Sequence, residues 1–250
     1  MERIINAEIL IYLLKHNLIG QHQHGFIKWQ STCTNLIECL SDWSLNMQSK
    51  CFTDVLYFDF KKAFGSVSHD KLLLKVTLYG ISGDLYQWIA TFLRNRTQAV
   101  QVDNILSSFI NVTSGVPQGS VLGPTLFLFL WCVHIFGDLN VMCKLYADDQ
   151  KLYTTYNLST SHTDLSAATH WLVSWADEWQ LKIAAQKCTV CRLQNPKWHK
   201  PQNYTFQVYK IDDYTLPLWD TVHDLGVRVD SNFKFDKHIS AITKPMLELT

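Results

Sequence analysis

The spacing of hydrophobic residues along this chain predicts both helices and strands. Apolar positions recur every three or four residues in several segments, which is the spacing of one helix face. These segments are residues 4–18, residues 32–48, residues 69–79 before Gly80, the stretch with Leu85, Trp88, Ile89 and Phe92, and the stretch with Leu165, Ala168, Leu172, Trp175 and Trp179. The apolar run from Leu126 to Trp131 predicts a further helix in the core.

Runs of β-branched and aromatic residues predict strands between these helices. Val55–Phe60 is predicted to be a buried strand, and residues 142–153 are predicted to form a hairpin. Other predicted strands are residues 98–102, 109–113, 187–192 and 205–211, with a turn that begins at Asp103-Asn104. Helices combined with hairpin-connected strands indicate an α+β fold with an antiparallel sheet.

Two adjacent carboxylates, Asp148 and Asp149, interrupt the apolar pattern of the predicted hairpin. Adjacent acids repel each other and resist burial, so apolar segments usually avoid them. At a tight hairpin tip both can face a divalent cation, whose charge removes the repulsion. Mg²⁺ prefers such oxygen ligands. The alternative is an ordinary polar turn, in which aspartate is a favoured residue.

A further carboxylate, Asp59, lies near the end of the strand predicted for Val55–Phe60. A strand end and a hairpin tip can converge at one edge of a sheet. Three carboxylates there could hold two Mg²⁺ ions, typically about 3.5–4 Å apart, for in-line phosphoryl transfer. The alternative for Asp59 alone is a strand-end aspartate that caps the following turn.

A loop rich in glycine and proline, Ser114–Pro124, lies between the two acidic segments. Glycine allows a ligand to approach the backbone closely, and Gln118 offers both a hydrogen-bond donor and an acceptor. Such a loop before a helix does not by itself identify a function.

Taken in order, three segments resemble the palm motifs of reverse transcriptases, in particular those of non-LTR (LINE-like) retrotransposons. They are Phe58-Asp59-Phe60-Lys61-Lys62-Ala63-Phe64, then Ser114 to Pro124 with Pro117-Gln118-Gly119, then Tyr146-Ala147-Asp148-Asp149. Flanking segments that fit the same family are Gln23–Phe26, His69–Leu73, Phe92–Gln98, Trp179–Leu181, Lys187-Cys188 and Asp224–Val227. The resemblance covers almost the whole chain.

The resemblance implies a two-metal nucleotidyl transfer that uses two Mg²⁺ ions, with Mn²⁺ as a substitute. Asp59 and Asp148 would bind both ions with help from Asp149, and Phe60 completes the implied metal-binding set. Lys187 matches the late lysine of the family, which protonates or neutralises the leaving pyrophosphate; the alternative is a solvated surface lysine. The implied partners are an RNA template, a DNA primer and deoxynucleoside triphosphates, with no membrane.

The resemblance also implies a nucleotide pocket. Phe64 would lie under the nucleotide sugar and exclude a 2′-hydroxyl, with a core phenylalanine as the alternative. Gln118 and Gly119 would line the pocket together with Phe60. Leu225-Gly226 resembles the hairpin that grips the primer end.

A right-hand polymerase fold follows from the same resemblance. Its fingers would be about residues 1–54 and 81–112, its palm about residues 55–80 and 113–230, and residues 231–250 the start of a thumb that is largely missing.

The chain departs from the family pattern at several positions. A fingers loop that usually carries two arginines for the triphosphate has Ile27 and Gln30 instead, and Lys28 lacks the bidentate fork of arginine. Further departures are Gly65, Ala184 and Trp131-Cys132-Val133-His134.

On the sequence, the chain is either an RNA-directed DNA polymerase fragment or an inactive copy that retains the fold and at most binds nucleic acid. A different Asp-dependent metal enzyme, such as a nuclease, is a distant third interpretation.

Composition adds little support for tight nucleic-acid binding. Lysine plus arginine and aspartate plus glutamate both total 22, so the formal net charge is +0, whereas proteins that track nucleic acid generally present a basic surface. Seven cysteines and no apparent signal peptide favour an intracellular protein, cytoplasmic or nuclear. Cys188 and Cys191 are predicted to be strand residues, and His22 and His24 to be loop residues without carboxylate partners. The sequence does not specify an oligomeric state.

Overall fold

The computed structural model describes residues 1–131, 139–158, 163–195, 197–198 and 205–247, with the backbone alone for residues 244–247. The chain divides into two compact units. The helical unit comprises Met1–Gln21, Phe60–Ile135 and Ser174–Ile183. The sheet unit comprises His22–Asp59, Phe136–Val173 and Ala184–Thr250.

Most of the predicted helices are confirmed, with small shifts at their ends. The helices are α1 (Glu2–Lys15), α2 (Thr32–Gln48), α3 (Ala63–Ser66), α4 (His69–Leu78), α5 (Gly83–Leu93), α6 (Gly123–Leu128), α7 (Asp164–Glu178) and α8 (Asp236–Leu247), with a 3₁₀ turn at Ala185–Lys187. A capping box fixes the start of α2, because the Ser31 hydroxyl accepts from the Thr34 N–H and the Thr34 hydroxyl accepts from the Ser31 N–H.

The described strands form one larger sheet and several two-stranded sheets. The strands are β1 (Phe52–Phe58), β2 (Thr97–Gln98), β3 (Gln101–Val102), β4 (Ile105–Leu106), β5 (Ile110–Asn111), β6 (Met142–Tyr146), β7 (Asp149–Tyr156), β8 (Thr189–Leu193), β9 (Lys210–Ile211), β10 (Tyr214–Thr215), β11 (Thr221–Asp224) and β12 (Val227–Asp230). The larger sheet has the order β6-β7-β1-β8, with every pair antiparallel. The predicted turn at Asp103-Asn104 is confirmed between β3 and β4.

One face of the larger sheet packs on α2. Val55 in β1 lies opposite Tyr153 in β7 and Cys191 in β8, so these three side chains form a row across the sheet. They join Cys39 and Trp43 of α2 in a buried cluster. Burial of a large apolar side chain contributes about 1.5–3 kcal/mol, so this row fixes the pairing of the central strands.

On the other face of β1, the charged carboxylate of Asp54 is buried. Arg192 in β8 donates two hydrogen bonds to the Asp54 carboxylate, at 2.6 and 2.7 Å, and the Tyr209 hydroxyl donates a third at 2.7 Å. Arg192 also donates to the Gln207 carbonyl at 3.1 Å. The strand predicted at residues 205–211 is therefore largely wrong: side-chain contacts hold this segment, and only Lys210–Ile211 pairs as a strand.

Aromatic side chains fill the core of the helical unit. Trp131 is 1% exposed and packs edge-on against Phe60, with ring centroids 5.1 Å apart. It also contacts Phe127 and Trp175, at 6.2 and 4.9 Å. The predicted helix at Leu126–Trp131 starts earlier, at Gly123, and ends at Leu128, while Cys132–His134 lie outside the described residues. Within the described ranges, no helix has both the length and the hydropathy needed to cross a membrane.

Two cysteines with the spacing of metal ligands are buried thiols. Cys188 and Cys191 are both free; Cys191 lies within β8, as predicted, whereas Cys188 lies one residue before the strand, at the end of the 3₁₀ turn. Burial raises the pKa of Cys188 to about 11 and that of Cys191 to about 12. Thiols held in their protonated form are poor metal ligands and weak nucleophiles, so both act as core residues.

The Asp54–Arg192 pair gives a stability prediction. Arg192→Met leaves the Asp54 carboxylate buried without its partner, and we expect a loss of about 3–5 kcal/mol in the free energy of unfolding. The double variant Arg192→Met with Asp54→Leu buries no charge and recovers most of that loss. Urea denaturation measures both. A parent-like midpoint for Arg192→Met alone contradicts the prediction.

Candidate active site

Asp59 is the first residue beyond the end of β1. The strand begins earlier than predicted, at Phe52, and ends at Phe58. The Asp59 backbone is held on both sides: its N–H donates to the Cys188 sulfur at 3.4 Å, and its carbonyl accepts from the Ala184 N–H at 2.8 Å. These contacts fix the position of the carboxylate at the sheet end.

Asp148 and Asp149 lie at the tip of the β6–β7 hairpin, as predicted. The last pair of the ladder is Tyr146 with Asp149, so Ala147 and Asp148 form a two-residue turn. Ala147 has a φ of 57°, and a positive φ at this position is typical of hairpin turns that match the strand twist. Because alanine rarely adopts this conformation, the turn requires support from its surroundings.

Gln23 supplies that support. Its side-chain oxygen accepts hydrogen bonds from the backbone N–H groups of Ala147, at 3.1 Å, and Gly25, at 2.7 Å. The segment also pairs with β6, since Leu145 exchanges backbone hydrogen bonds with His22 and His24. A Cβ atom at Gly25 would lie 2.2 Å from the Ala147 nitrogen. Sequence reasoning flagged this segment only by its family resemblance and missed its role in holding the turn.

The sheet end concentrates negative charge. Phe58 pairs with Gln150, so one step further along the ladder Asp59 comes opposite Asp149. Burial, followed by the charge of Asp59, raises the pKa of Asp148. Burial also raises the pKa of Asp149, with further contributions from Asp148, Asp224 and Asp59. Carboxylates that destabilise each other in this way are suited to a cation.

Two properties of the sheet end suit a metal ion. Its carboxylates are ligands that Mg²⁺ prefers, and Asp59 and Asp149 each lie beside a paired residue at the same end of neighbouring strands. In the part of the chain that the structure describes, no group of three or more His, Cys, Asp and Glu side chains is close enough to hold an ion. The Asp59 carboxylate contacts the Lys187 ammonium, at 3.3 and 3.4 Å. Such exposed pairs contribute only about 0–1 kcal/mol, so a divalent cation can displace the lysine. The two-ion geometry stays a prediction.

A groove of about 710 Å³ runs along the sheet unit beside these carboxylates. Its lining includes Asp59, Asp149, Lys187 and Trp219, and the tip of the β11–β12 hairpin. That tip is Leu225-Gly226, with φ values of 46° and 94°, so the hairpin predicted there is confirmed.

A buried ion pair ties this hairpin to β7. The Lys151 ammonium lies 2.7 Å from both carboxylate oxygens of Asp224, and both side chains are 3% exposed. The Tyr57 hydroxyl donates to the same carboxylate at 3.3 Å. Lys151 is two residues after Asp149, and Asp224 directly precedes the hairpin tip. Sequence analysis missed the pair, because nothing in the sequence indicates that these distant residues meet.

The residues predicted to bind nucleotide belong to the helical unit. Phe64 is half-buried and stacks on Phe127, with ring centroids 4.1 Å apart and planes 13° apart. Gln118 and Gly119 are exposed, and Gly119 has a φ of 82°. The structure thus brings Asp59, Asp148, Asp149 and Lys187 together in the sheet unit, with Phe60, Phe64, Gln118 and Gly119 in the other unit.

The loop that was predicted to belong to the fingers lies in the sheet unit, where it is irregular and partly exposed. Phe26 and Trp29 have positive φ values of 62° and 71°, and Trp29 is 86% exposed. The Lys28 ammonium lies 5.0 Å from the centre of the Trp29 ring. Gln30, at one of the two arginine positions, accepts from the Thr34 hydroxyl at 3.0 Å and so contributes to the start of α2.

His22 and His24 do have a carboxylate partner, so the prediction that they lack one is wrong. The ring nitrogens lie 3.9 and 3.5 Å from Glu38, which also binds the buried Lys144 ammonium at 2.7 Å. Glu38 is on α2, far away in sequence, which is why the pairing was missed. Burial is the main cause that lowers the pKa of both histidines.

An antiparallel sheet that carries carboxylates at one strand end and one hairpin tip is the arrangement that the motif resemblance implied for the palm of a reverse transcriptase. The family model for reverse transcriptase (RNA-dependent DNA polymerase) matches residues 1–228. The chain therefore belongs to the reverse transcriptase family, as its motifs predicted.

Similar sequences come from non-LTR mobile elements. The RNA-directed DNA polymerase from mobile element jockey of Drosophila melanogaster is 27% identical over 250 residues, covering 97% of this chain. The probable RNA-directed DNA polymerase from transposon X-element of the same organism is 27% identical over 251 residues, covering 96% of this chain. The chain spans 26% of the length of each. The predicted likeness to LINE-like elements is confirmed.

Solved structures support the fold. Apo telomerase from Candida tropicalis, truncated from its C-terminal domain, matches with a TM-score of 0.61 and 11% identity, covering 93% of this chain and 44% of that chain. Telomerase from Candida albicans with a TWJ fragment of telomeric RNA matches with a TM-score of 0.59 and 12% identity, covering 92% of this chain and 37% of that chain. The predicted α+β polymerase fold with fingers and palm is confirmed.

The contact between Gly25 and Ala147 gives a prediction with a matched control. Gly25→Ala places a methyl group against the Ala147 backbone, which cannot move without displacing the hairpin tip. We expect a loss of about 1–3 kcal/mol in the free energy of unfolding. Gly20→Ala is the control, because a Cβ there has no atom within 4 Å. Equal melting temperatures for the two variants contradict the proposed contact.

The lowered histidine pKa values predict an acid-sensitive fold. Below about pH 6.5 the unfolded chain takes up protons that His22 and His24 in the folded chain resist, so stability falls as the pH decreases. His24→Gln removes one such group. It therefore reduces the slope of the unfolding free energy against pH by at most about 1.4 kcal/mol per pH unit. Urea denaturation from neutral to acidic pH measures it, with His170→Gln as the surface control. Identical slopes for His24→Gln and the parent overturn the assignment.

Proposed function

We propose that this chain carries the catalytic centre of an RNA-directed DNA polymerase. One observation carries the proposal: Asp59 directly follows the central strand β1, and the adjacent strand β7 begins with Asp149 directly after Asp148. Antiparallel pairing brings strand end and hairpin tip to the same edge of the sheet, beside a groove that is open to solvent. The substrates are an RNA template, a DNA primer and deoxynucleoside triphosphates.

The metal ligands in this proposal are the carboxylates of Asp59, Asp148 and Asp149 and the backbone carbonyl oxygen of Phe60, and the ions are two Mg²⁺, with Mn²⁺ as a substitute. When bound, the ions supply charge that activates the primer hydroxyl and stabilises the leaving pyrophosphate. Lys187 adds a mobile positive charge and a proton for the pyrophosphate, since its ammonium is held only by the exposed contact to Asp59.

The remaining roles concern nucleotide and primer. Phe64 selects deoxyribose by steric contact, and its stacking on Phe127 gives the ring a fixed surface to press against. Gln118 and Gly119 line the nucleotide pocket, and the Leu225-Gly226 tip holds the primer end. We assign about residues 1–54 and 81–112 to fingers, about 55–80 and 113–230 to palm, and 231–250 to the start of a thumb.

A second candidate function is nucleic-acid binding by an inactive copy. It is favoured by the fingers loop, where Ile27 and Gln30 replace two arginines and Gln30 is engaged with Thr34. Each charge-assisted contact to a phosphate contributes about 1.5–3 kcal/mol. If the two contacts are independent, their loss reduces the rate by about a hundredfold to ten-thousandfold.

Primer extension tests the proposal. The template is poly(rA), the primer is oligo(dT), and the buffer contains Mg²⁺ or Mn²⁺. We expect slow extension by the parent chain and a rise of about a hundredfold or more in kcat/KM for Ile27→Arg with Gln30→Arg. The same pair combined with Asp148→Asn is inactive, because a metal ligand is missing.

A binding measurement separates the two functions without relying on activity. Mg²⁺ raises the melting temperature of a chain that binds it in the folded state, and Asp148→Asn removes that rise. A metal-dependent rise without extension, even after both arginines are restored, supports the inactive copy. Equal melting temperatures with and without metal, for parent and variant alike, disprove the metal site.

A further inference from the structure

The hairpin at residues 97–111 of the helical unit has one uncovered apolar face. Val102 in β3 pairs with Ile105 in β4. Gln98 in β2 pairs with Ile110 in β5. Because side chains alternate between the two faces of a strand, every second residue from Gln98 to Val102 lies on the same face as these partners. The apolar side chains of that face are 66%, 63%, 76% and 56% exposed, for Val100, Val102, Ile105 and Ile110 in that order.

A face of this kind requires a partner. Every residue from Val100 to Asn111 is exposed, so no described part of the chain packs on the hairpin. An isolated two-stranded hairpin is at best marginally stable in water and needs a cover for its apolar face. Exposed strand edges are usually protected by lysine or proline. From Thr97 to Asn111 the sequence contains neither, and its single charged residue is Asp103.

The chemistry of the face fits a protein partner. A contiguous exposed apolar patch is typical of a protein–protein interaction site, whereas isolated apolar residues on a surface need no explanation. A phosphate backbone requires positive charge, which this face lacks.

The charges at the two ends of the hairpin indicate what that partner is. Asp103 lies in the turn, and Arg96 lies at the base, seven residues earlier, or about 23 Å away along an extended strand. The Arg96 guanidinium lies 5.5 Å from the centre of the Phe92 ring. Neither Asp103 nor Arg96 forms an ion pair with any residue that the structure describes, whereas the neighbouring Arg94 binds Asp70 at 3.1 Å.

We propose that two copies of this chain associate through this hairpin face, with the two hairpins antiparallel across a twofold axis. The turn of one hairpin then lies at the base of the other, so Asp103 meets Arg96 of the second copy, and symmetry repeats the contact. In the same arrangement Ile105 packs on Ile110 of the second copy, and Val100 lies near the axis. A parallel arrangement would place the two Asp103 carboxylates together, where they repel each other.

Sedimentation equilibrium of the whole chain tests the apolar contact. Because an interface that buries less than about 1,200 Å² is usually weak, we expect a dissociation constant of about 10–100 µM for the parent. Ile105→Lys introduces two charges into the apolar face and raises that constant by about tenfold or more. Ile37→Lys is the matched control, since Ile37 is 65% exposed on α2, outside the hairpin. A monomeric parent at about 300 µM, or equal constants for the two variants, overturns the proposal.

A charge exchange tests whether the partner is a second copy. Arg96→Asp and Asp103→Arg each break both symmetric ion pairs, and we expect each to weaken the dimer by about fivefold at low salt. Mixed in equal amounts, the two variants form a heterodimer in which both pairs are again between opposite charges, so affinity recovers. Both positions are exposed, so these variants keep their fold even if Ile105→Lys does not. A mixture that associates no better than either variant alone disproves the antiparallel dimer.

Discussion

The antiparallel pairing of β1 with β7 determines where the candidate carboxylates lie. Phe58 pairs with Gln150, and this register places Asp59 and Asp149 at the same end of neighbouring strands. A slip of one residue would turn every side chain of a strand to the other face and would separate the two acids. The register is held by burial, because Val55 and Tyr153 pack in one row under α2. The hydrophobic core thus sets the geometry of a polar site.

The tip of the β6–β7 hairpin combines a backbone conformation and a pair of carboxylates that are both unfavourable on their own. Ala147 adopts a positive φ, and the two aspartates beside it are partly buried near other carboxylates. Local conformational preference and electrostatics both oppose this arrangement, and such conflicts are typical of functional sites. Gln23 offsets part of the cost through hydrogen bonds to the turn. The side chain that holds the turn is thus distant in sequence and lies outside the palm motifs.

Sequence reasoning was reliable for features encoded locally. The periodicity of residues 32–48 matches α2, and the Asp148-Asp149 turn was visible from two acids in an apolar run. It failed where partners are distant in sequence. The Asp54–Arg192 and Lys151–Asp224 pairs could not be predicted, because neither partner's sequence context specifies the other. The strand predicted at residues 205–211 failed for the same reason, since contacts from β8 decide its conformation.

Buried ion pairs also explain why net charge is a poor guide to the binding surfaces of this chain. Arg192, Lys151 and Lys144 are bound to carboxylates and nearly inaccessible, so they contribute little to the surface potential. A buried pair contributes less to stability than its short distances suggest, because both charges lose their hydration. The Lys151–Asp224 pair therefore matters more for orienting the β11–β12 hairpin than for stability. The formal charge of +0 sums buried and exposed groups alike, so it does not measure the electrostatic potential at any one surface.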